Sequence, residues 1–263
     1  MLLEDKVAIV VGGGQTPGET IGNGRATAVQ FAREGARVLV ADRDLASAEE
    51  TLGLITDEGG EALACQADVR HEPDIEAMVG TALDAWGKID ILHNNVGVSI
   101  AGHDARIEDM TPDSYNLLVE INLRAMVLTT KHVLPTMREA GAGVIINISS
   151  MAARKAYPLV GYKTTKAAVV ALTEQTAALN ARYGIRANVI LPGLMNTPMA
   201  VESRVSAGKA REEVIAERDA QVPLGRKMGT AWDVAHAAAF LASDRAGFIT
   251  GVALPVDGGT SVL

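Results

Sequence analysis

The sequence contains few aromatic residues, a single cysteine and no excess of positive charge. Aromatic residues make up 3% of the 263 residues, the cysteine is Cys65, and the formal net charge is −8 at pH 7. One cysteine excludes an internal disulfide and is typical of a reducing compartment. The acidic balance and the lack of a basic stripe argue against a nucleic-acid partner.

Long apolar runs and metal-binding patterns are also missing. No stretch reaches the ~18 consecutive apolar residues that a membrane span requires, so we expect no membrane partner. Acidic residues interrupt the opening segment MLLEDKVAIVVGGG before the apolar core of a signal peptide can form, and we expect a cytoplasmic protein. The five histidines are scattered without metal-ligand spacing, so no metal is expected.

Short apolar runs alternate with helical patterns along the whole chain. Hydrophobic residues make up 48% of the sequence, enough for a large core. Apolar strands that are each followed by a helix indicate a parallel sheet covered on both faces. We therefore predict one α/β domain over 1–263, a doubly wound Rossmann-type parallel sheet of about seven strands with helices on both faces.

The predicted elements place the candidate functional loops. Strands are expected at 6–11, 37–42, 61–67, 89–95, 143–149, 185–191 and 251–259. Helices are expected at 24–36, 45–58, 73–86, from 111 into a second one near 124–138, and at 161–182, 200–219 and 231–242. Sheets of this kind bind ligands at the carboxyl ends of their strands, so functional residues should directly follow the strands.

A glycine-rich loop follows the first strand but does not fit the six-position pattern G-x-G-x-x-G. Its glycines lie at 12, 13, 14, 18, 22 and 24. Asp42 ends the next strand, where a carboxylate can accept hydrogen bonds from the ribose of a dinucleotide. Pro17-Gly18 is a turn signal, so the extra residues are expected to bulge outward before the loop reaches the helix N-terminus, which favours a pyrophosphate. A plain surface turn is the alternative.

Tyr162 and Lys166 form the clearest candidate for chemistry, because residues at i and i+4 share one face of a helix. Ser149 lies thirteen residues before Tyr162 at the end of an apolar strand and would enter the same cleft. A free tyrosine has a pKa of about 10, which a neighbouring ammonium and an oxidised nicotinamide ring would lower. Ser149 would hydrogen-bond the substrate oxygen. A serine that caps local backbone and a tyrosine that packs on the core remain the alternatives.

Further motifs occur in order along the chain: Asp68-Val69, NNVG (94–97), IN (121–122), NISS (147–150), PGLMNTPM (192–199) and VDGG (256–259). With the glycine loop and YKTTK (162–166), this set resembles the short-chain dehydrogenase/reductase family over essentially the whole chain. The resemblance implies that Tyr162 is the general acid/base and that Lys166 lowers its pKa and binds the nicotinamide ribose. It also implies that Ser149 positions the substrate oxygen and that Asn122 holds a water in the proton relay.

The resemblance and the loop together give an expected set of binding residues. The cofactor residues would be Gly12, Gly14, Gln15, Thr20, Ile21, Gly22, Asp42, Arg43, Asp68, Val69, Asn95, Val96, Gly97, Pro192, Met195 and Thr197. The substrate would be lined by Val98, Ser99, Met151, Ala153 and Tyr157, with a mobile segment at 194–219. This lining is mostly apolar or small, which suggests an uncharged ketone or secondary alcohol.

Two departures from the family pattern bear on function. Val96 stands where the family usually has alanine, and the glycine loop is six residues too long. The long loop resembles that of the enoyl-reductase branch, through Gly14, Thr20, Ile21 and Gly22. That branch separates its tyrosine and lysine by six residues, whereas this chain has three between them, which favours carbonyl and alcohol chemistry. An enoyl reductase and a catalytically silent dinucleotide-sensing regulator remain alternatives.

Cofactor choice and assembly are the last expectations. The Asp42 carboxylate would repel a 2′-phosphate, while Arg43 could pair with one. We expect NAD, with NADP as the alternative. The resemblance also implies dimer contacts along the small-residue helix at 163–182 and near VDGG, and hence a homotetramer.

Overall fold

The computed structural model describes residues 1–206 and 208–262, and its centre is one seven-stranded sheet. The strand order is β3-β2-β1-β4-β5-β6-β7, and every neighbouring pair is parallel. The strands are β1 (Val7–Val11), β2 (Arg37–Asp42), β3 (Ala62–Gln66), β4 (Ile91–Asn94), β5 (Gly143–Ile148), β6 (Ile185–Pro192) and β7 (Ala253–Val256). After β3, at one edge of the sheet, the chain returns to place β4 on the other side of β1. The strand order therefore switches between β1 and β4, and ligand crevices form at such switch points.

Helices cover both faces of the sheet. They are α1 (Asn23–Arg33), α2 (Leu45–Asp57), α3 (Glu72–Trp86), α4 (Pro112–Val119), α5 (Ala125–Ala140), α6 (Val160–Asn180), α7 (Pro198–Val205), α8 (Arg211–Asp219) and α9 (Ala231–Ala242). One apolar core lies between the sheet and α1, α2 and α9. A second core lies between the opposite face and α3, α5 and α6. The doubly wound parallel sheet predicted from the alternating pattern is therefore confirmed.

One predicted element is wrong. The sequence pattern predicts a single amphipathic helix over 200–219, whereas the structure has two helices, α7 and α8. Gly208 lies between them with φ of 96°, a backbone conformation that a side chain would strain and that a continuous helix does not contain. Ala207, which also belongs to the predicted segment, lies outside the described residues.

Two other expectations concern single features of the fold. Cys65 lies on β3, and burial raises the pKa of its thiol to about 11, which keeps the thiol protonated and unreactive at neutral pH. No helix in the described part of the chain has the length and apolar character to cross a membrane.

His93 is a buried titratable group on β4, one residue before the end of the strand. Its imidazole is fully buried with one ring edge toward Phe31, at 5.8 Å between ring centroids. Neither ring nitrogen has a hydrogen-bond partner among the residues that the structure describes. Burial lowers the pKa of His93 from 6.5 to about 3, so the folded protein holds this side chain neutral.

We predict that His93 makes the protein less stable in mild acid. Between pH 6.5 and about 3 the unfolded chain binds a proton that the folded protein excludes. The free energy of unfolding therefore falls by up to ~1.4 kcal/mol per pH unit as the pH decreases through this window. Urea denaturation at pH 7 and pH 5 should show a smaller loss for His93→Leu than for the wild type. Equal losses in the two proteins would exclude His93 as the source.

Candidate active site

The glycine loop brings the N-terminus of α1 against the end of β1. Gly12 follows β1 with φ of 78°, and its N–H donates to the Ala41 carbonyl. A Cβ on Gly24 would lie 1.9 Å from the Gly12 carbonyl oxygen, so only glycine permits this crossing. Helix α1 begins at Asn23 with Gly22 as its N-cap, and no side chain caps it. The first N–H groups of the helix therefore point into the loop, where a phosphate can bind them.

Three side chains hold the loop in place. Asp42 Oδ2 accepts from the N–H of Gly14 at 3.1 Å, and Gln15 Oε1 accepts from the N–H of Gly22 at 2.9 Å. The buried Arg25 side chain donates to the Ser47 carbonyl at 3.0 Å, which ties α1 to α2. The expected cofactor residues Gly14 and Gln15 of the loop and Asp42 at the end of β2 thus lie together. Side-chain hydrogen bonds, and not only the glycines, fix the conformation of the loop.

The extra residues of the loop contact α7 and α8. A Cβ on Gly18 would lie 2.8 Å from Glu202 Oε1 and 2.9 Å from the Pro198 Cβ, so the loop packs closely on α7. Arg211, at the start of α8, pairs with Glu202 at 2.6 Å and with Glu19 of the loop at 3.3 Å. The bulge predicted from Pro17-Gly18 therefore bridges toward α7 and α8. Its partners lie about 190 residues along the chain, and no local sequence signal identifies them.

A cavity of about 730 Å³ opens at the carboxyl ends of β2 and β3. It is lined by Arg43, Asp44, Leu45, Ala46, Gln66, Asp68, Asp74 and Ala77. Asp68 forms an ion pair with Arg70, and the hydrogen bonds from that guanidinium lower the pKa of Asp68 to about 2. The carboxylates of Asp44, Asp68 and Asp74 line the cavity. The residues present therefore fit the adenosine half of a dinucleotide.

The end of β4 joins the glycine loop to the middle of the cleft. Asn95 Nδ2 donates to the Gly12 carbonyl at 3.0 Å, and Val96 packs against Gly12. A Cβ on Gly97 would lie 2.9 Å from Lys166 Nζ, so a larger residue there would displace the lysine. The NNVG motif thus connects the cofactor loop with the Tyr162 region.

Tyr162 and Lys166 lie in the first two turns of α6, as the sequence spacing predicts. Lys166 is 2% exposed, and its Nζ lies 5.7 Å from the centre of the Tyr162 ring. The N-cap Leu159 supplies no side-chain cap. Instead, the Asp104 carboxylate accepts from the N–H groups of Gly161 and Tyr162, each at 2.9 Å. Asp104, from the loop after β4, therefore positions the first turn of α6, and sequence reasoning did not identify it.

The protonation of this pair differs from the expectation. Burial raises the pKa of Tyr162 to about 12, against the smaller lowering effect of a hydrogen bond with Ser150. Burial also lowers the pKa of Lys166 to about 8, and its Nζ donates to the Ile148 carbonyl at 2.8 Å. For these residues on their own, desolvation of the phenol outweighs the lowering of the Tyr162 pKa that is expected from Lys166, and the further lowering by the nicotinamide ring stays a prediction. At neutral pH the phenol is a proton donor.

The structure does not bring Ser149 to Tyr162. Ser149 is 2% exposed, and its Oγ donates to the backbone carbonyl of Lys166 at 2.6 Å. The hydrogen-bonding neighbour of the Tyr162 phenol is Ser150, whose Oγ also accepts from the N–H of Ala152 at 3.1 Å. Successive residues of an extended chain point to opposite sides, so only one of two adjacent serines can enter the cleft. The backbone-bonding alternative for Ser149 is the arrangement that the structure contains.

Asn122 lies in a turn of π-helix, Glu120–Arg124, between α4 and α5. Its side chain is fully buried and makes two bonds to the backbone of Val98: Oδ1 accepts from the N–H at 2.7 Å, and Nδ2 donates to the carbonyl at 2.9 Å. Nδ2 also reaches Thr165 Oγ1 at 3.1 Å, beside Lys166. Turns of π-helix are common at functional sites, and this one ties the β4 loop to α6.

The expected substrate residues divide into two groups. Ala153 and Tyr157 are partly exposed, and the rings of Tyr157 and Tyr162 lie 5.7 Å apart. By contrast, Met151 is 5% exposed within an apolar cluster, and the buried Ser99 hydroxyl donates to Asp104, so these two side chains do not line an open cleft. A second cavity, of about 360 Å³, is lined by Arg106, Ile107, Glu108, Tyr157, Pro158, Val160 and Lys163.

The remaining expected cofactor residues follow β6. Pro192 ends the strand, Met195 is 4% exposed and pairs with Gly229 through a backbone bridge, and Thr197 precedes α7 at 7% exposure. They lead into α7, on which Gly18 of the glycine loop packs.

A parallel sheet with a dinucleotide loop at one end and a tyrosine–lysine pair beside the cleft defines a nicotinamide-dependent oxidoreductase. A family model described as Enoyl-(Acyl carrier protein) reductase matches residues 19–261. A 2,5-dichloro-2,5-cyclohexadiene-1,4-diol dehydrogenase of Sphingobium indicum is 35% identical, over 99% of this chain and 98% of the relative. Levodione reductase of Leifsonia aquatica is also 35% identical, over 98% and 94% of the two chains.

Solved structures agree with this grouping. A crystal structure of levodione reductase has a TM-score of 0.92 at 33% identity and covers 99% of both chains. A 7α-hydroxysteroid dehydrogenase in complex with NADH and 7-oxo glycochenodeoxycholic acid has a TM-score of 0.86 at 32% identity, over 98% of this chain and 94% of that chain. The chain belongs to the short-chain dehydrogenase/reductase family. It is an NAD(P)-dependent oxidoreductase that transfers hydride between the nicotinamide cofactor and a secondary alcohol or ketone, and the enoyl-reductase alternative is not favoured.

Proposed function

We propose that Tyr162 is the general acid/base of this oxidoreductase and that Ser150, rather than Ser149, binds the substrate oxygen. The observation that carries the proposal is the meeting of Tyr162, Lys166 and Ser150 at the carboxyl end of β5. When bound, the nicotinamide cofactor supplies or accepts the hydride. Tyr162 gives its phenolic proton to the oxygen of a ketone, or removes the proton of an alcohol in the reverse direction.

The neighbouring residues support this proton transfer. The Ser150 hydroxyl stabilises charge as it develops on the substrate oxygen. The Lys166 ammonium stabilises the ionised phenol, and its position against Gly97 also suits it to bind the nicotinamide ribose. Asn122 fixes the loop at Val98 through both ends of its amide, and its proposed role is to hold a water in the proton relay.

We propose secondary alcohols and ketones as the substrates, as the names of the diol dehydrogenase and levodione reductase relatives suggest. The test is a panel of cyclic and open-chain alcohols and ketones, followed through the absorbance of the reduced cofactor with NAD and NADP in parallel. Turnover of at least one member supports the proposal. Reduction of activated C=C bonds without turnover of any ketone or alcohol would contradict it.

Asp42 is proposed to select NAD. Its carboxylate lies beneath the glycine loop at the edge of the adenosine cavity, where it would accept from the ribose hydroxyls and repel a 2′-phosphate. Arg43 lines the same cavity and is proposed to lie against the adenine. Thr20, Ile21 and Val69 remain proposed members of the cofactor site.

Asp42→Asn is predicted to relax this preference. The amide keeps an acceptor for the Gly14 N–H but loses the charge. The ratio of kcat/KM for NADP to that for NAD should therefore rise by about 10- to 100-fold, the range for a charge-assisted hydrogen bond. Asp57→Asn is the matched control, because Asp57 is an exposed carboxylate at the end of α2 that lies away from the cavity. An unchanged ratio in Asp42→Asn would remove Asp42 from cofactor selection.

The assembly and the movements of the chain complete the proposal. We infer one domain in which the described parts of the segment, 194–206 and 208–219, move over the substrate, with the Arg211 ion pairs joining the segment to the glycine loop. A homotetramer is proposed from exposed apolar residues on the outer helices and near β7, including Leu179 at 56% and Phe248 at 105% exposure. A monomeric molar mass by light scattering would contradict the tetramer.

The single Cys65 supports a cytoplasmic location.

A further inference from the structure

Two arginines on α7 and α8 lie close together without a carboxylate partner. Arg218 is only 9% exposed, and the one hydrogen bond of its side chain within the described ranges is from Nε to Met228 Sδ, at 3.2 Å. Arg204 is partly buried and donates to the Ala200 carbonyl. Within 1–206 and 208–262, no ion pair joins either arginine to an acidic side chain.

The acidic groups nearby already have other partners. Glu202 of α7 and Glu19 of the glycine loop pair with Arg211. The Asp219 carboxylate accepts from the backbone N–H of Met228 at 2.8 Å. Burial, reinforced by repulsion from the Arg204 guanidinium and only partly offset by the Tyr157 phenol and the Asp219 carboxylate, lowers the pKa of Arg218 to about 10.

Such a pair is costly unless a ligand completes it. Burying a cation without a partner is unfavourable, and a buried thioether sulfur is only a weak acceptor. The planar guanidinium presents donors in the geometry of a carboxylate, sulfonate or phosphate, and bonds to such groups are among the strongest that a protein forms. A site that holds two arginines in this way is suited to an oxyanion.

The position of the pair relates it to the catalytic residues. Tyr157 is near enough for its phenol to influence the charge of Arg218, and the ring of Tyr157 lies 5.7 Å from that of Tyr162. Tyr157 thus lies between Arg218 on α8 and Tyr162, the proposed acid/base. One substrate can contact both ends if a short spacer joins its carbonyl carbon to its anionic group.

We propose that Arg204 and Arg218 bind an oxyanion on the substrate, so that the enzyme acts on ketones or secondary alcohols with an anionic tail. This inference rests on the proposed function, because it names the substrate class of the Tyr162 site. It replaces the expectation of an uncharged substrate, which depended on the apolar lining after β4 and β5. That expectation missed the arginines because they lie on α7 and α8, some 40 to 60 residues beyond Tyr162 in the sequence.

The test compares keto acids with their methyl esters of the same chain length. The wild type should prefer the acid by about 10- to 100-fold in kcat/KM, chiefly through a lower KM, as expected for charge-assisted hydrogen bonds. Arg218→Gln should abolish this preference, and Arg204→Gln should reduce it. Arg211→Gln is the matched control on α8, because Arg211 is already paired with two carboxylates, and it should keep the preference.

A binding measurement separates this role from a structural one. Glutarate, which has no ketone, should raise the Tm of the wild type and of Arg211→Gln but not that of Arg218→Gln. Without ligand, Arg218→Met should unfold at the same temperature as the wild type or a higher one, since it removes an uncompensated charge. A large fall in Tm for Arg218→Met would assign the guanidinium to the fold and overturn the inference.

The outcomes also separate this inference from the proposed function. If esters are reduced and acids have no advantage, the anion site is wrong and the Tyr162 assignment stands. If no ketone or alcohol of either kind is turned over, the proposed function itself fails. If Arg218→Gln does not fold, Arg204→Gln is used in its place, and both its Tm shift with glutarate and its preference for acids over esters are measured. If both values equal those of the wild type, the inference is overturned.

Discussion

Replacing Tyr162 with phenylalanine is expected to lower kcat by about 10²- to 10⁴-fold, the range that a positioned general acid or base contributes. The substitution removes one hydroxyl and leaves the ring, which packs beside Tyr157, in place. The glycine loop and the cavity at Asp68 lie on other elements, so the affinity for the cofactor should stay close to that of the wild type. Stopped-flow turnover and a fluorescence titration of cofactor binding measure the two effects separately.

The matched control for this variant is Tyr183→Phe. Tyr183 lies beyond the far end of α6, where its ring contacts Arg138 and Arg182, and it takes no part in the cleft. Its replacement should leave kcat within about twofold of the wild type. Turnover by Tyr162→Phe at the rate of Tyr183→Phe would remove the phenol from the mechanism. Loss of cofactor binding together with turnover would show instead that the change disturbs the cleft as a whole.

The second large effect is expected to distinguish two adjacent serines. Ser150→Ala removes the hydroxyl beside the Tyr162 phenol and should lower kcat by about 10²- to 10³-fold, as the loss of one donor to a developing oxyanion does. Ser149→Ala removes a donor to the Lys166 carbonyl and should reduce the free energy of unfolding by ~1–3 kcal/mol. Its effect on kcat should be smaller than that of Ser150→Ala.

Each variant is the control for the other, since both change one hydroxyl at the end of the same strand. Steady-state kinetics and urea denaturation give kcat and the free energy of unfolding for each of the two variants. If Ser149→Ala abolishes turnover while Ser150→Ala leaves it intact, Ser149 binds the substrate oxygen, as its spacing of thirteen residues from Tyr162 predicts. Our assignment of Ser150 would then be wrong. A common loss of stability in both variants, with no difference in kcat, would contradict both roles.

The sequence predicts the sheet well because apolar strands and helical spacing are local features. All seven strands lie at the predicted places, and α9 has the predicted bounds. The helix predicted over 200–219 fails because Gly208 adopts a left-handed conformation, which a hydrophobic pattern does not reveal. In the same way, the position of Tyr162 and Lys166 on one helix follows from their spacing alone.

The parts of the site that sequence reasoning missed depend on contacts between distant segments. Asp104 caps α6 from a loop more than fifty residues earlier, and the glycine loop meets Arg211 of α8. The structure favours Ser150 over Ser149 for a different reason, because counting back from Tyr162 assumes a fixed loop length after β5. The pair of serines in NISS is the signal that could have identified Ser150. Adjacent side chains on an extended chain point to opposite sides, so only one of the two serines can face the cleft.

The pH dependence of alcohol oxidation tests the central claim most directly. With Tyr162 as the base and burial raising its pKa, kcat/KM for the alcohol at saturating cofactor should rise with pH as the phenol ionises, up to tenfold per unit below the pKa of the complex. The same profile for Tyr162→Phe should be flat, at a much lower rate. A wild-type rate that is independent of pH between 6 and 10, or an equal slope in Tyr162→Phe, would contradict proton transfer through this phenol.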